Sequence, residues 1–499
     1  MTLFFPLASK IPFFDFKTIR MHDEPLNHRL SFAIPTWKDA LAFRQEKASQ
    51  TSGFSEQDFS SPFIKKLFDE ARRKYSKKGE FSIVFPSKNT AVRALEFVEK
   101  KTGKKGTLDK FGKSDIFVIS LPKELFEVAK TYWELSGEVI SSREAKMMLK
   151  STSQNEAEMK KRGRAAKRLL RERIAQIAGE KPQNVALFPS ERATISSVLR
   201  FLQISFPERK SVQFGFPHKD VLKIQQYLGN GVHFFSKGDN SDMRQLEALL
   251  AKEKMLGIFC ELPGNPMAPS FDLKKLKLLS KKFTIPLIFD DTIGTFQNAK
   301  VLALADIVIS SLSKFFSGKE NAPGGALILH SESRFRNVFA RVFKNNYEDI
   351  LFWEDAVTLE ENSRDFSERM QKINKNAEAL YAFLRKNPMV YKVFSSKFGR
   401  SSLFPLPKND IFGGILSFLL YDPESSTPKF YDALQLKKST SFGSTQTTAC
   451  PYTQISQFDR LSLAKENGIS PHLIQISVGT EDSDELIARF QSAFMSCTS

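Results

Sequence analysis

Three short apolar runs, each followed by a polar residue of defined chemistry, constrain this chain more than any other feature. Ile258 to Leu262 leads into Pro263-Gly264-Asn265, Ile285 to Phe289 delivers Asp290-Asp291-Thr292, and Ala305 to Ile309 leads through Ser310-Ser311-Leu312-Ser313 to Lys314. Apolar runs of this length, bounded by turn residues, read as buried strands. In open α/β sheets ligands sit outside the carboxyl ends of the strands. Those ends carry Asn265, Asp290 and Lys314.

A lysine amine at the end of a buried strand is suited to forming a Schiff base with an aldehyde, because desolvation lowers its pKa. Ser313 and Ser311, one and three positions before the lysine, have hydroxyls that hydrogen-bond an anion such as a phosphate. Pyridoxal phosphate has both groups, and a carboxylate such as Asp290 keeps its pyridine nitrogen protonated, making the ring an electron sink. Taken alone, the lysine stretch reads equally well as a strand meeting a polar turn with a solvated lysine.

The order Glu261-x-Pro263-x-Asn265-Pro266, Asp290-x-Thr292 and Asp306-Ile-Val-x-Ser-x-x-Ser-Lys314, followed by Gly318 and Gly324-Gly325, resembles the Cys/Met-metabolism family of pyridoxal-phosphate enzymes, the cystathionine γ-synthase group. Pro35-Thr36-Trp37 and Gly137-x-x-Ile140-Ser141-Ser142-Arg143 resemble its long, fungal-type branch. The resemblance implies a type I aminotransferase-like α/β fold: a large domain with a mostly parallel sheet, a smaller carboxy-terminal α+β domain and an amino-terminal α/β extension. Boundaries are expected at 1–145, 146–386 and 387–499.

The activity implied is the joining of an O-acyl-L-homoserine and L-cysteine by γ-replacement, with pyridoxal 5′-phosphate as cofactor. The alternative is a pyridoxal-phosphate-binding protein with lost or altered activity, or a carbon–sulfur lyase acting on another amino acid. Lys314 is then the attachment point and proton carrier, Asp290 the partner of the ring nitrogen, and Asn265 the contact to ring oxygen and substrate carboxylate. Thr292, Ser311 and Ser313 join the cofactor site, and Ser441 lies near the lysine. Three positions depart from the family pattern. Ser190-Glu191-Arg192 replaces a Ser-Gly-Met type turn whose backbone N–H groups hold the phosphate at a helix start; a glutamate there is unfavourable unless it points away. His218 replaces a ring-stacking tyrosine, and Gln475 an arginine that grips the α-carboxylate. The family's assembly, a homodimer or homotetramer, usually donates a tyrosine and an arginine to the phosphate. Here no tyrosine occurs between Tyr132 and Tyr227, leaving Arg162 or Arg164 as stand-ins.

With 499 residues the chain should form two or three domains. Its three cysteines, Cys260, Cys450 and Cys497, give neither a disulfide framework nor metal-ligand spacing, so no metal and a reducing compartment are expected. No apolar run is long enough for a membrane span and the amino terminus lacks a leader's pattern, which points to a cytoplasmic protein. A formal charge of +18 invites a nucleic-acid reading. The basic residues are spread out, however, and the densest cluster, Lys160 to Arg173, falls on an amphipathic helix with Leu169, Leu170, Ile174 and Ile177 on its apolar side. Residues 1 to about 60 read as an irregular arm, followed from Ser61-Pro62 by an αβαβα module.

Overall fold

Three β-sheets organise the chain, and each occupies its own stretch of sequence. The computed structural model describes residues 28, 30–49, 61–150, 156–267, 272–299, 301–398 and 411–498. The first sheet is antiparallel and ordered β1-β3-β2, with β1 Glu80–Phe85, β2 Thr107–Lys110 and β3 Phe117–Pro122. Helices Pro62–Tyr75, Lys88–Thr102 and Lys123–Ser136 pack on it. The αβαβα expectation thus gains a strand, β2. Its Thr-Leu-Asp-Lys sequence, half exposed at the sheet edge, carries too little apolar signal to be seen.

The second sheet holds β4 Val185–Phe188, β5 Ser211–Phe214, β6 Val232–Phe235, β7 Ile258–Glu261, β8 Leu287–Asp290, β9 Ile307–Ser311 and β10 Gly325–Leu329. They are ordered β4-β10-β9-β8-β7-β5-β6, with β10 antiparallel to both neighbours and the other pairs parallel. Strands β7, β8 and β9 are buried at every position and lie side by side, with Glu261 opposite Asp290 and Asp290 opposite Ile309. Covered on both faces by helices, they need apolar side chains throughout, which is why the sequence shows runs rather than alternation.

The third sheet is ordered β11-β12-β15-β14-β13: β11 Val390–Phe398, β12 Ile411–Leu420, β13 Lys437–Lys438, β14 Thr448–Pro451 and β15 Ile474–Ser477. Only β13 and β14 pair in parallel. Helices Trp353–Asn362 and Phe366–Lys386 lead into it, where the sequence reads as one helical stretch. The break at Ser363 lets Arg369 turn back, so that its Nη2 donates to the carbonyls of Phe315 and Phe316 at 3.1 and 2.9 Å. This clamps the turn that follows Lys314.

The basic helix Glu156–Ala178 buries Ala166, Leu170 and Ile174, while Leu169 is 39% exposed rather than on the apolar side. Its cations are largely paired: Arg162 with Glu361, Lys167 and Arg171 with Asp349, and Arg173 with Glu360. No helix among the described residues is long and apolar enough to cross a membrane.

Within the stretch expected to be irregular, Trp37–Ser49 is a helix. Residues 30–44 form a strap across the third sheet. Phe32 and Thr440 exchange hydrogen bonds, the Tyr431 hydroxyl donates to the Ile34 carbonyl at 2.7 Å, and the Trp37 N–H donates to Asp432 at 2.6 Å. Trp37 also stacks on His472. Local pattern missed this helix because distant residues, not an amphipathic repeat, hold it.

Candidate active site

The carboxyl ends of β7, β8 and β9 open into a cavity of about 250 Å³. Lys314 follows β9 in a tight turn, half-buried, and its Nζ donates to Ser441 Oγ at 2.9 Å and lies 4.9 Å from the centre of the Phe442 ring. Burial lowers its pKa, although Glu191, Glu320 and Asp220 pull the other way. Ser441 reaches the lysine because Gly443, at φ +87°, brings the 439–443 loop against it; a Cβ there would lie 2.3 Å from the Phe315 nitrogen.

Asp290 closes β8, and burial pushes its carboxyl up to about 6. Its Oδ1 accepts from the Thr292 N–H at 3.0 Å and from the Thr292 hydroxyl at 2.7 Å, while that hydroxyl accepts from the Ser311 N–H at 2.9 Å. Thr292, expected at the cofactor, lines the cavity but commits its one O–H to orienting Asp290. The neighbouring Asp291 is fully buried, takes the Phe296 N–H at 2.9 Å and does not line the cavity.

Ser190 caps helix Glu191–Ser205, accepting from the Ala193 N–H at 3.0 Å and donating to the Gly137 carbonyl at 2.9 Å. Its hydroxyl is thereby used, and what the turn offers an anion is the helix start itself. Gly325 keeps this turn against β10, where a Cβ would lie 2.5 Å from the Ser190 carbonyl. Glu191 does not point away: it lines the cavity, hydrogen-bonded to Ser311. Burial and the neighbouring Asp290 raise its pKa, against the pull of His218 and Lys314. Arg192 also lines the cavity and helps hold Asp220 ionised.

His218 faces the same space, its backbone N–H donating to Glu261 Oε2 at 2.8 Å and its Nδ1 lying 4.0 Å from Asp220 Oδ2; burial lowers its pKa. The Ser313 hydroxyl bonds the Gly324 backbone in both directions, so its part in the site is to brace the loop after the lysine. On β15, Gln475 donates from Nε2 to Asn265 Oδ1 at 2.6 Å, and the two buried amides form one wall. Every residue selected from the sequence, Ser190, Glu191, Arg192, His218, Asn265, Asp290, Thr292, Ser311, Ser313, Lys314, Ser441 and Gln475, borders this one cavity. Arg162 and Arg164 do not.

The residues that sequence reasoning missed are of two kinds: polar side chains, among them Glu134, Lys219, Asp220 and Lys223, and a group of apolar ones. The apolar ones are Leu30, Phe32 and Phe43 of the strap, with Phe442, Ile455 and Phe458. The rings of Phe32 and Phe43 lie 5.3 Å apart, and Phe43 meets Phe458 edge-on at 6.0 Å. The signal that was available is Leu30-x-Phe32, an alternation too short to read without its partner strand.

Residues 140–495 match the family model described as Cys/Met metabolism PLP-dependent enzyme, and residues 63–141 match that of the fungal trans-sulfuration enzyme N-terminal domain. The chain is 29% identical to cystathionine gamma-synthase of Saccharomyces cerevisiae, over 93% of this chain and 97% of that one. It is 28% identical to a cystathionine gamma-synthase-like enzyme of Amanita muscaria, over 93% and 94%. Among solved structures it resembles cystathionine gamma synthase from Xanthomonas oryzae, with a TM-score of 0.56 and 18% identity, covering 67% of this chain and 86% of that one.

Proposed function

Because the chain belongs to the Cys/Met-metabolism PLP-dependent enzymes, we propose that it joins an O-acyl-L-homoserine to L-cysteine by γ-replacement. The Cγ–O bond breaks, the acyl group leaves as its carboxylate, the cysteine sulfur bonds to Cγ and the thiol proton is released. The observation that carries this reading is the convergence of Lys314, Asp290 and Asn265 on one cavity beside a helix start. The residues fit pyridoxal phosphate: a buried amine with a lowered pKa, a carboxylate on the next strand and an exposed helix amino terminus for the phosphate, with Glu191 as the opposing feature.

Lys314 would carry the cofactor, Asp290 would face the ring nitrogen, the Glu191–Arg192 helix start would take the phosphate and the His218 ring would lie against the π-face. When bound, the cofactor supplies an aldehyde for the lysine amine and a ring that stabilises negative charge at the substrate α carbon. Lys314 Nζ, its pKa lowered by burial and its position set by Ser441, is the group that moves protons at the substrate. Thr292 and Ser311 hold Asp290 in one orientation, and the strap covers the open side so that less water reaches the amine. A homodimer or homotetramer is part of this reading. Purified protein incubated with pyridoxal phosphate, O-acyl homoserines and cysteine should yield cystathionine; its absence with bound cofactor would favour the second reading, altered chemistry. That reading draws on the Gln475–Asn265 amide pair standing where a cation is expected.

Two expected results follow from the departures. Charge-assisted hydrogen bonds are about twice as strong as neutral ones, so Gln475 should leave α-carboxylate binding loose, and Gln475→Arg should lower KM by about ten- to a hundredfold. No change in KM would mean that another cation grips the carboxylate. Glu191, when ionised, opposes a phosphate dianion in the same turn. Pyridoxal-phosphate affinity, read by absorbance, should therefore weaken as pH rises and Glu191 loses its proton. Glu191→Gln should flatten that dependence and tighten binding by about tenfold at high pH; equal affinities would place the phosphate elsewhere.

A further inference from the structure

The cavity has two unlike halves. Around Lys314 it is polar; towards the strap it is walled by Leu30, Phe32, Phe43, Ile455 and Phe458, of which Phe43, Ile455 and Phe458 are buried. One cation stands on that apolar side. Lys219 lines the cavity and its Nζ lies 4.3 Å from the centre of the Phe458 ring. The other cavity-lining cations are engaged: Lys223 pairs with Asp459 at 2.6 Å, Lys314 donates to Ser441, and Arg192 sits in the field of Asp220. Burial lowers the pKa of Lys219 while Asp220 and Asp459 pull it up, and among the described residues no carboxylate is in contact with its ammonium. An aromatic face holds such an ammonium in place without using its three donors.

We propose that Lys219 is a specificity-determining residue: its ammonium receives a carboxylate at the far end of the substrate's side-chain arm, while Leu30, Phe32 and Phe43 cover the arm's apolar middle. The inference rests on the γ-replacement reading for what the arm is, namely the acyl group of the homoserine ester. The chemistry selected is an apolar spacer ending in an anion. A neutral acyl arm of the same length would leave Lys219 facing apolar atoms and would forfeit the hydrogen bonds its donors still offer.

The test compares O-succinyl-L-homoserine with O-butyryl-L-homoserine, which have arms of similar length but differ in the terminal charge, on the full-length holoenzyme and its Lys219→Met and Phe43→Ala variants. Wild type should favour the succinyl ester in kcat/KM by about tenfold or more, with the difference in KM. Lys219→Met should reduce that preference to near unity, and Phe43→Ala should raise KM for both esters. Equal use of the two esters by wild type, or a preference that survives in Lys219→Met, overturns the proposal. If neither ester is turned over, the γ-replacement reading fails on its own. Calorimetric binding of the same two esters then decides about Lys219, and equal affinities for wild type and Lys219→Met count against it.

Discussion

Lys314→Ala is expected to abolish turnover and to remove the covalent attachment of pyridoxal phosphate, the largest single effect available in this chain. The amine follows strand β9, it is aimed by Ser441 at 2.9 Å, and burial lowers its pKa. A neutral amine both attacks an aldehyde and accepts a proton, so removing it deletes attachment and proton transfer together. Proton transfer by a positioned group alone is worth about a hundred- to ten-thousandfold. Borohydride reduction followed by peptide mapping should label Lys314 in wild type and leave the variant unlabelled. A label on Lys219 or Lys223, or wild-type turnover in the variant, would sink the assignment.

Asp290→Asn should leave the cofactor bound and cut turnover by about a hundredfold or more. The amide is nearly isosteric and its oxygen still accepts from Thr292, so the fold around β8 is preserved while the negative charge that favours a protonated ring nitrogen is lost. The wild type carries the same experiment in its pH profile. Because burial raises the carboxyl to about 6, Asp290 is ionised above that pH and neutralised below it, and turnover should fall as pH drops through about 6. The asparagine variant should lack this acid limb. An unaltered limb in Asp290→Asn would assign it to another group, and wild-type turnover would dismiss the role.

Part of the polar half of the site was legible in the sequence because Asp290 ends a strand, Lys314 follows one and Ser190 starts a helix. A buried strand announces itself as an apolar run, and the residue after it is placed by the sheet, so Asp290 and Lys314 needed no knowledge of distant contacts. Gln475 was selected through the family resemblance and Asn265 by its place after a strand, but the hydrogen bond between them was not legible, since nothing local links positions so far apart. The apolar half was hidden for the same reason. Phe43 and Phe458 are ordinary aromatic residues until the strap folds over, and strap geometry depends on Tyr431, Asp432 and Thr440 rather than on its own propensity. Glu191 was read from its position, but that it turns inward follows from Ser311, Lys314 and His218, which only the folded sheet assembles.

The strap also bears on how the chain is made. Its anchoring bonds span nearly the whole polypeptide: 397 positions separate Ile34 from Tyr431, 395 separate Trp37 from Asp432 and 410 separate Arg44 from Gln454. During synthesis residues 30–44 emerge hundreds of residues before their partners at Tyr431, Asp432 and Gln454. Through most of that interval Ile34, Trp37 and Phe43 have no apolar surface of the third sheet to bury against, and such unsatisfied segments are where nascent chains associate wrongly. The cavity's apolar wall is therefore completed only once the third sheet has been made, and a chain stopped short of that sheet can assemble the lysine, the carboxylate and the helix start without the cover over them.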